Sequence, residues 1–281
     1  MPSTSILSEG TPPGSAMGDW LLNLPLVWIA VVVFAATYLL TASICWVVTT
    51  LAVNDRARTF FKALSPGMLS PLGILFALLV GFIAVEVWSN FDKAKAAVAT
   101  EASALRAVVV LAGTFPEEQK TRIYALIDRH IEKAVNEGWP AMAQHRATLS
   151  NLPTTLTEAL HDTLTIEPAD ASQRIAQSEM VKAIRTALDA RRQRIVVSES
   201  TVGRVKWAGI LLMGLFTLVA IAMVHSDNRL TCAIAMTLFA SGMALSLLLI
   251  AAYSRPFTGE ISVRPDLLKQ VITSGQPSSN P

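Results

Sequence analysis

Four long stretches without a charged residue constrain this sequence most: residues 20–54, 63–85, 207–224 and 230–254. A helix needs about 20 apolar residues to cross the hydrocarbon layer of a bilayer. Lipid cannot satisfy free backbone groups, so apolar segments of this length are expected to be helices. We therefore predict an all-α membrane protein with four transmembrane helices in two hairpins, in contact with the lipid bilayer.

The predicted boundaries divide the chain into five segments. They are a disordered N-terminal tail (1–20), a first transmembrane hairpin (21–90, with spans about 21–53 and 66–89), a cytoplasmic helical domain (91–206), a second transmembrane hairpin (207–254, with spans about 207–225 and 230–253) and an extended C-terminal segment and tail (255–281). The net charge is only +2. A nucleic-acid partner is not expected, because such proteins carry a concentrated basic face.

Spans 2 and 3 are predicted to extend into the helical domain. No helix breaker occurs between Pro71 and Gly113, and an apolar seam continues beyond the interface residue Trp88. Its members are Phe91, Ala94, Val98, Glu101, Leu105, Val108 and Ala112. A last helix from about Ala171 is expected to run unbroken into the third span, with a seam at Ile184, Leu188, Arg191, Ile195, Ser198, Val202 and Val205.

Each seam contains one charge of opposite sign, Glu101 and Arg191. Counted from the interface tryptophans, the two charges would lie within about one turn of each other on antiparallel helices. We expect an ion pair, with Arg194 as a rival partner. The alternative is that both charges lie at a seam edge in water, where a pair contributes ~0–1 kcal/mol.

Other helices are expected between these two. One begins after "GTFPEEQ" and ends at "EGWPAM", and shorter helices are expected over 141–150 and 154–164.

Lys and Arg near the span ends favour a cytoplasmic middle domain with both termini inside. Only Arg56, Arg58, Lys62 and Arg229 then lie on the opposite side. The first hairpin alone favours the reverse orientation, because the tail before it has no Lys or Arg. The larger count predicts a multi-pass inner-membrane protein with its domain in the cytoplasm.

The sequence shows little enzyme chemistry, and we expect neither an enzyme nor a cofactor. Glu158 and His161 have the spacing that a di-iron helix supplies, but a second copy is missing, so surface residues are the simpler interpretation. His130, His145 and His225 are scattered and expected in solvent.

Small and polar residues mark faces of the spans. The second span has a small-residue stripe for helix packing, Gly73, Ala77 and Gly81. Candidate pore-lining residues on the same span are Leu75, Leu78, Phe82 and Glu86. The alternative for Glu86 is an interfacial position beside Trp88.

The first span has a polar face at Thr37, Thr41, Cys45 and Thr49. Its hydroxyls either bond back to their own helix or line a water pathway. Cys45 and Cys232 could form a disulfide only if their helices meet; small buried side chains are the simpler interpretation.

Four segments resemble the bacterial bestrophin-like domain family, membrane proteins of largely unassigned function that are related to the bestrophin channels. They are "LLVGFIAVEVWSNFDKAKAAVATEASAL", "IEKAVNEGWPAM", "ARRQRI" and "SRPFTGEISVRPDLL". The last is the most specific, and its prolines suggest an extended segment that docks on the helical domain.

The resemblance implies two membrane hairpins around a cytoplasmic helical domain, a homo-oligomer of about five subunits, and a pathway for small inorganic anions along the second helix. It thus implies an oligomeric ion channel; the alternative is a membrane-anchored helical scaffold or sensor without conduction. Two features depart from the family. "STVGRVKW" lacks a proline, which predicts a straighter helix, and no acidic calcium clasp is present.

Overall fold

The computed structural model describes residues 25–54, 59, 61, 65–149 and 153–275. The predicted disordered tail (1–20) and the basic residues Arg56, Arg58 and Lys62 lie outside the described residues. Helices account for most of the structure, and no strand occurs in the described ranges.

Nine α-helices follow one another along the described chain. They are α1 (Leu26–Leu51), α2 (Leu69–Ala112), α3 (Glu117–Lys133), α4 (Trp139–Ala143), α5 (Thr154–Thr165), α6 (Ala171–Ser198), α7 (Arg204–Val224), α8 (Arg229–Tyr253) and α9 (Asp266–Gly275). A 3₁₀ turn, Pro66–Met68, leads into α2, and a π-helix, Ala134–Gly138, connects α3 to α4.

Four of these helical segments are long and apolar enough to cross a membrane, as the sequence predicts. They are Leu26–Leu51, Pro66–Ala112, Arg204–Val224 and Arg229–Tyr253. The second is the longest, because α2 continues for 44 residues to Ala112 without a break. Pro71 does not interrupt it. Proline has no backbone N–H, but in the first turn of a helix this group would have no intrahelical acceptor, so no hydrogen bond is lost.

The predicted seam on α2 is confirmed, since all seven of its residues are buried. The apolar surface of this helix therefore narrows to one stripe beyond Trp88, which is itself exposed.

The expected unbroken helix from Ala171 into the third span is wrong. Helix α6 ends at Ser198, residues 199–203 are not helical, and α7 begins at Arg204. The Ser198 hydroxyl donates to the Ile195 carbonyl over 2.7 Å. Hydroxyl side chains at this point compete for backbone groups, and Gly203 disfavours helix, so the break occurs without a proline.

Two shorter predictions also need correction. The helix expected over 141–150 ends at Ala143, and residues 144–149 are not helical. The C-terminal segment is not extended throughout, because α9 occupies Asp266–Gly275. Pro265 immediately precedes α9, and proline suits the start of a helix, where its missing N–H costs nothing.

The chain divides into two compact units, one within Met1–Ile74 and Met213–Ala252 and the other within Leu75–Leu212 and Tyr253–Pro281. In the first unit, Tyr38 and Ser241 share a hydrogen bond of 3.0 Å. The Cys45 and Cys232 sulfurs lie 3.4 Å apart, and both cysteines are free thiols. Helices α1 and α8 are therefore neighbours.

The polar face of α1 bonds to its own helix. Thr37, Thr41 and Thr49 donate to the carbonyls four residues earlier over 2.7, 2.7 and 2.8 Å. This geometry favours the local interpretation of these hydroxyls over a water pathway.

In the second unit, α5 packs between α3 and α6, and α9 packs on α3. The core is apolar and includes Leu105, Ile127, Leu156, Met180 and Ile184, all fully buried.

Candidate functional site

A carboxylate lies at the centre of the second unit with no exposure to solvent. Glu101 on α2 is fully buried and forms an ion pair with Arg194 on α6, which is 2% exposed. Arg194 Nη2 donates to Glu101 Oε1 over 3.1 Å, and Nε lies 2.9 Å from Oε2 without the alignment of a hydrogen bond. The pair thus joins the two long helices of the unit.

His130 on α3 makes a second polar contact with this carboxylate. Its Nε2 lies 3.2 Å from Glu101 Oε1, and its Nδ1 lies 3.3 Å from the Thr155 hydroxyl. The side chain is buried, so the prediction that His130 lies in solvent is wrong. A buried polar histidine requires such partners, because an unsatisfied group would cost free energy.

Trp139 on α4 covers the arginine. The Arg194 guanidinium lies 4.3 Å from the centroid of the Trp139 ring, a cation–π contact. Trp139 Nε1 donates to the Val263 carbonyl over 2.9 Å, and its ring meets Phe257 edge-on at 5.9 Å. We refer to Glu101, His130, Trp139 and Arg194 as the Glu101 cluster.

The C-terminal segment docks on the helical domain through this tryptophan, as expected. Thr258 also donates to the Ala143 carbonyl over 3.0 Å. Gly259 has a φ of +84°, a conformation that side chains disfavour, which explains the glycine in "RPFTG". The four segments that carry the family resemblance thus meet in space: Glu101 and Trp139 contact Arg194, and the C-terminal segment contacts Trp139.

In the Glu101 cluster, burial and the neighbouring opposite charge have opposite effects on the pKa of Glu101 and on the pKa of Arg194. Burial raises the pKa of Glu101, but the Arg194 charge and the His130 hydrogen bond lower it, and the net pKa is below the ordinary value. Burial lowers the pKa of Arg194 more than Glu101 raises it. Both groups remain charged at neutral pH, because an arginine pKa lies far above 7.

The predicted partner of Glu101 was the wrong arginine. Arg191 is half-buried and affects the Glu101 pKa through its charge, whereas the rival Arg194 makes the contact. The buried stripe of α6 runs through Ile184, Ala187, Ala190 and Arg194, and the predicted seam deviated from it at Leu188 and Arg191. A seam displaced in this way changes which side chain of α6 is expected to face α2.

The candidate pore residues lie on an exposed face of α2. Leu75, Leu78 and Phe82 are 55%, 50% and 70% exposed. Glu86 pairs with Lys206, whose Nζ lies 2.6 Å from Oε2, and both side chains remain partly exposed. This pair was not predicted, although the sequence contains a signal for it: Glu86 precedes Trp88 by two residues and Lys206 precedes Trp207 by one.

The small-residue stripe meets no packing partner at its glycines among the residues that the structure describes. A Cβ added to Gly73 or Gly81 would meet nothing within 4 Å, and Ala77 is exposed. No part of the chain that the structure describes therefore covers this surface for close helix packing at Gly73 and Gly81.

Glu158 and His161 are both exposed on α5. No group of three or more His, Cys, Asp or Glu residues that could hold a metal occurs in the described ranges.

The helices define the protein as a multi-pass α-helical membrane protein. The protein-family model of the bestrophin-like domain matches residues 35–268 of this chain. The chain therefore belongs to the bestrophin-like domain family. No curated protein matches this chain.

Solved structures share the fold at low sequence identity. Two are crystal structures of point mutants of a bacterial bestrophin homolog from Klebsiella pneumoniae. One is 14% identical with a TM-score of 0.67, and the match covers 86% of this chain and 98% of that chain. The other is 13% identical with a TM-score of 0.68, covering 85% and 96%.

Replacing Glu101 by glutamine should strongly destabilise the second unit. The change leaves the Arg194 charge buried without a counter-charge, and breaking a buried pair in this way costs about 3–5 kcal/mol. Thermal unfolding of the detergent-purified protein, followed by tryptophan fluorescence, measures the loss. Glu86→Gln is the matched control, because its partly exposed pair contributes ~0–1 kcal/mol. Equal effects of the two variants would contradict a structural role of the buried pair.

The contribution of Glu101 to stability should disappear in acid. Its folded pKa is lower than the ordinary value of 4.5, so the unfolded carboxyl binds a proton at higher pH than the folded one. The stabilisation is complete above about pH 4.5 and is lost as the pH falls through the folded pKa. The difference in unfolding midpoint between wild type and Glu101→Gln should therefore narrow below that pH. A constant difference down to pH 3 would contradict this linkage.

Proposed function

We propose that this chain assembles into a bestrophin-like oligomeric ion channel that conducts anions along α2. Membership of the bestrophin-like family supports a channel, and the faces of α2 support its geometry. The proposed setting is the bacterial inner membrane, with the second unit and both termini in the cytoplasm and about five subunits in the ring.

The observation that carries this proposal is that α2 has three distinct faces. At about 100° per residue, Leu75, Leu78 and Phe82 centre on roughly 0°, the buried Phe76, Ile83 and Val87 on roughly 120°, and the small-residue stripe on roughly 220°. A helix in a ring of subunits needs three such faces. One packs on its own chain, one packs on a neighbouring subunit and one lines the axis.

The exposed apolar row suits a constriction. Rings of Leu75, Leu78 and Phe82 would form a narrow apolar zone, which controls conduction by excluding water. Glu86 lies on the same side of the helix, about one turn beyond Phe82. A ring of free carboxylates would repel anions, but Lys206 neutralises this charge locally. The ion pair is therefore compatible with an anion pathway.

Conduction is tested by anion flux in liposomes of purified protein. Phe82→Ala should raise the flux severalfold, because it widens and wets the apolar constriction. Phe216→Ala is the matched control, since Phe216 is a 51% exposed phenylalanine on another span, α7. Tight vesicles at high protein load, for wild type and Phe82→Ala alike, would favour a membrane-anchored scaffold or sensor instead.

The small-residue stripe should hold neighbouring subunits together. Gly81→Leu places a bulky side chain where close helix packing is proposed, and it should reduce the oligomer to smaller species. Light scattering corrected for bound detergent, with native mass spectrometry, measures the subunit number. Gly242→Leu on α8 is the control, because a Cβ there also meets nothing within 4 Å. A wild-type monomer or dimer would contradict the ring.

A further inference from the structure

A cavity lies beside the Glu101 cluster, entirely within the second unit. Its volume is about 360 Å³, which is within the range of small-molecule sites. The π-helix, the start of α5 and the C-terminal part of α6 each contribute to its lining. It is separate from the exposed row of α2 residues, none of which lines it.

Positive charge dominates this cavity. Four cationic side chains line it, Lys133, Arg146, Arg191 and Arg194, against one acidic side chain, Glu137. Glu101 balances Arg194 from outside the lining. Lys133 and Arg191 form no ion pair with any residue that the structure describes. The cavity therefore keeps an excess of positive charge that favours an anion.

Arg194 has a buried donor without an acceptor. Its side chain is 2% exposed, and Nη1 has no hydrogen-bond partner within the described ranges. A guanidinium normally satisfies its donors when buried, because an unpaired donor costs free energy. Arg194 lines the cavity, so a bound ligand oxygen could accept this hydrogen bond.

The N-terminus of helix α5 lies at the cavity. Thr154 and Thr155, its first residues, line the cavity, and the N-cap residue Pro153 makes no side-chain capping bond. The free N–H groups and the dipole at the start of a helix favour negative charge.

The lining of the cavity also includes Ala134, Glu137 and Gly138 of the π-helix, a wide helical form that often occurs at functional sites. The next turn contains Pro140, whose missing N–H and bulky ring disfavour a regular α-helix there.

We propose that this cavity binds a small multivalent oxyanion with phosphate or carboxylate groups. Arg194 Nη1 and the start of α5 hold its oxygens, and Arg191 and Lys133 neutralise its remaining charge. Oxyanions match the planar donors of arginine better than halides do. The cavity also holds the volume of roughly a dozen waters, at about 30 Å³ each, which a single halide would leave largely unfilled. This binding goes beyond the proposed channel function and does not depend on conduction.

The test uses full-length protein in detergent, titrated with sodium pyrophosphate or with citrate at constant ionic strength. Calorimetry gives the affinity, and the thermal midpoint should rise by several degrees at saturation. Arg191→Gln and Lys133→Gln should each weaken binding about tenfold or more, as expected for loss of a charge-assisted contact. Arg192→Gln is the matched control, because this exposed neighbour does not line the cavity. Arg194 itself is not substituted, since its loss would disturb the fold.

Glu137→Gln provides a readout that a merely structural effect would not give. Removal of the acidic side chain should tighten anion binding several-fold, in the direction opposite to the Arg191 and Lys133 variants. Pyrophosphate and citrate together distinguish a phosphate site from a carboxylate site, and binding of either supports the proposal. No binding of either anion at millimolar concentration would overturn it. Equal losses in Arg191→Gln and Arg192→Gln, or weaker binding in Glu137→Gln, would also overturn it.

Discussion

The ion pair between Glu101 and Arg194 is the interaction on which the second unit depends. Two charges without access to water are tolerated only when each compensates the other. This requirement fixes the positions of α2, α3 and α6, because Glu101, His130 and Arg194 come from these three helices. Trp139 then stacks on Arg194 and ties the C-terminal segment to the same point. The requirement to compensate two buried charges therefore constrains the positions of most helices in the second unit.

The same arrangement explains why the family motifs are distant in sequence but close in space. Glu101 and Trp139 contact the Arg194 guanidinium directly, and the C-terminal motif contacts Trp139 through Phe257 and the Val263 carbonyl. Binding and conduction are proposed for other surfaces: the cavity beside Arg194 and the exposed faces of α2. The buried pair serves both surfaces by holding the helices that present them.

Several features of this structure could be predicted from the residues. The seam from Phe91 to Ala112 is fully buried, because a pattern of three and four residues on a long unbroken helix fixes one face whatever its neighbour is. The partner of Glu101 was predicted incorrectly, since Arg191 and Arg194 are separated by less than one turn and a small rotation of α6 exchanges them. The burial of His130 had no local signal, because its partners Glu101 and Thr155 come from other helices. The break at residues 199–203 had a weak signal in its serine, threonine and glycine content.

The sequence by itself determined that this is an all-helical membrane protein with four spans, and that the second helix continues unbroken to Ala112. These properties follow from length, hydropathy and the absence of helix breakers, which act locally and add along the chain. Only the tertiary structure decided which charges are buried together, which donors of Arg194 lack an acceptor, and which faces of α2 remain exposed. Those features depend on the rotation and register of helices distant in sequence, and packing of the whole unit sets them.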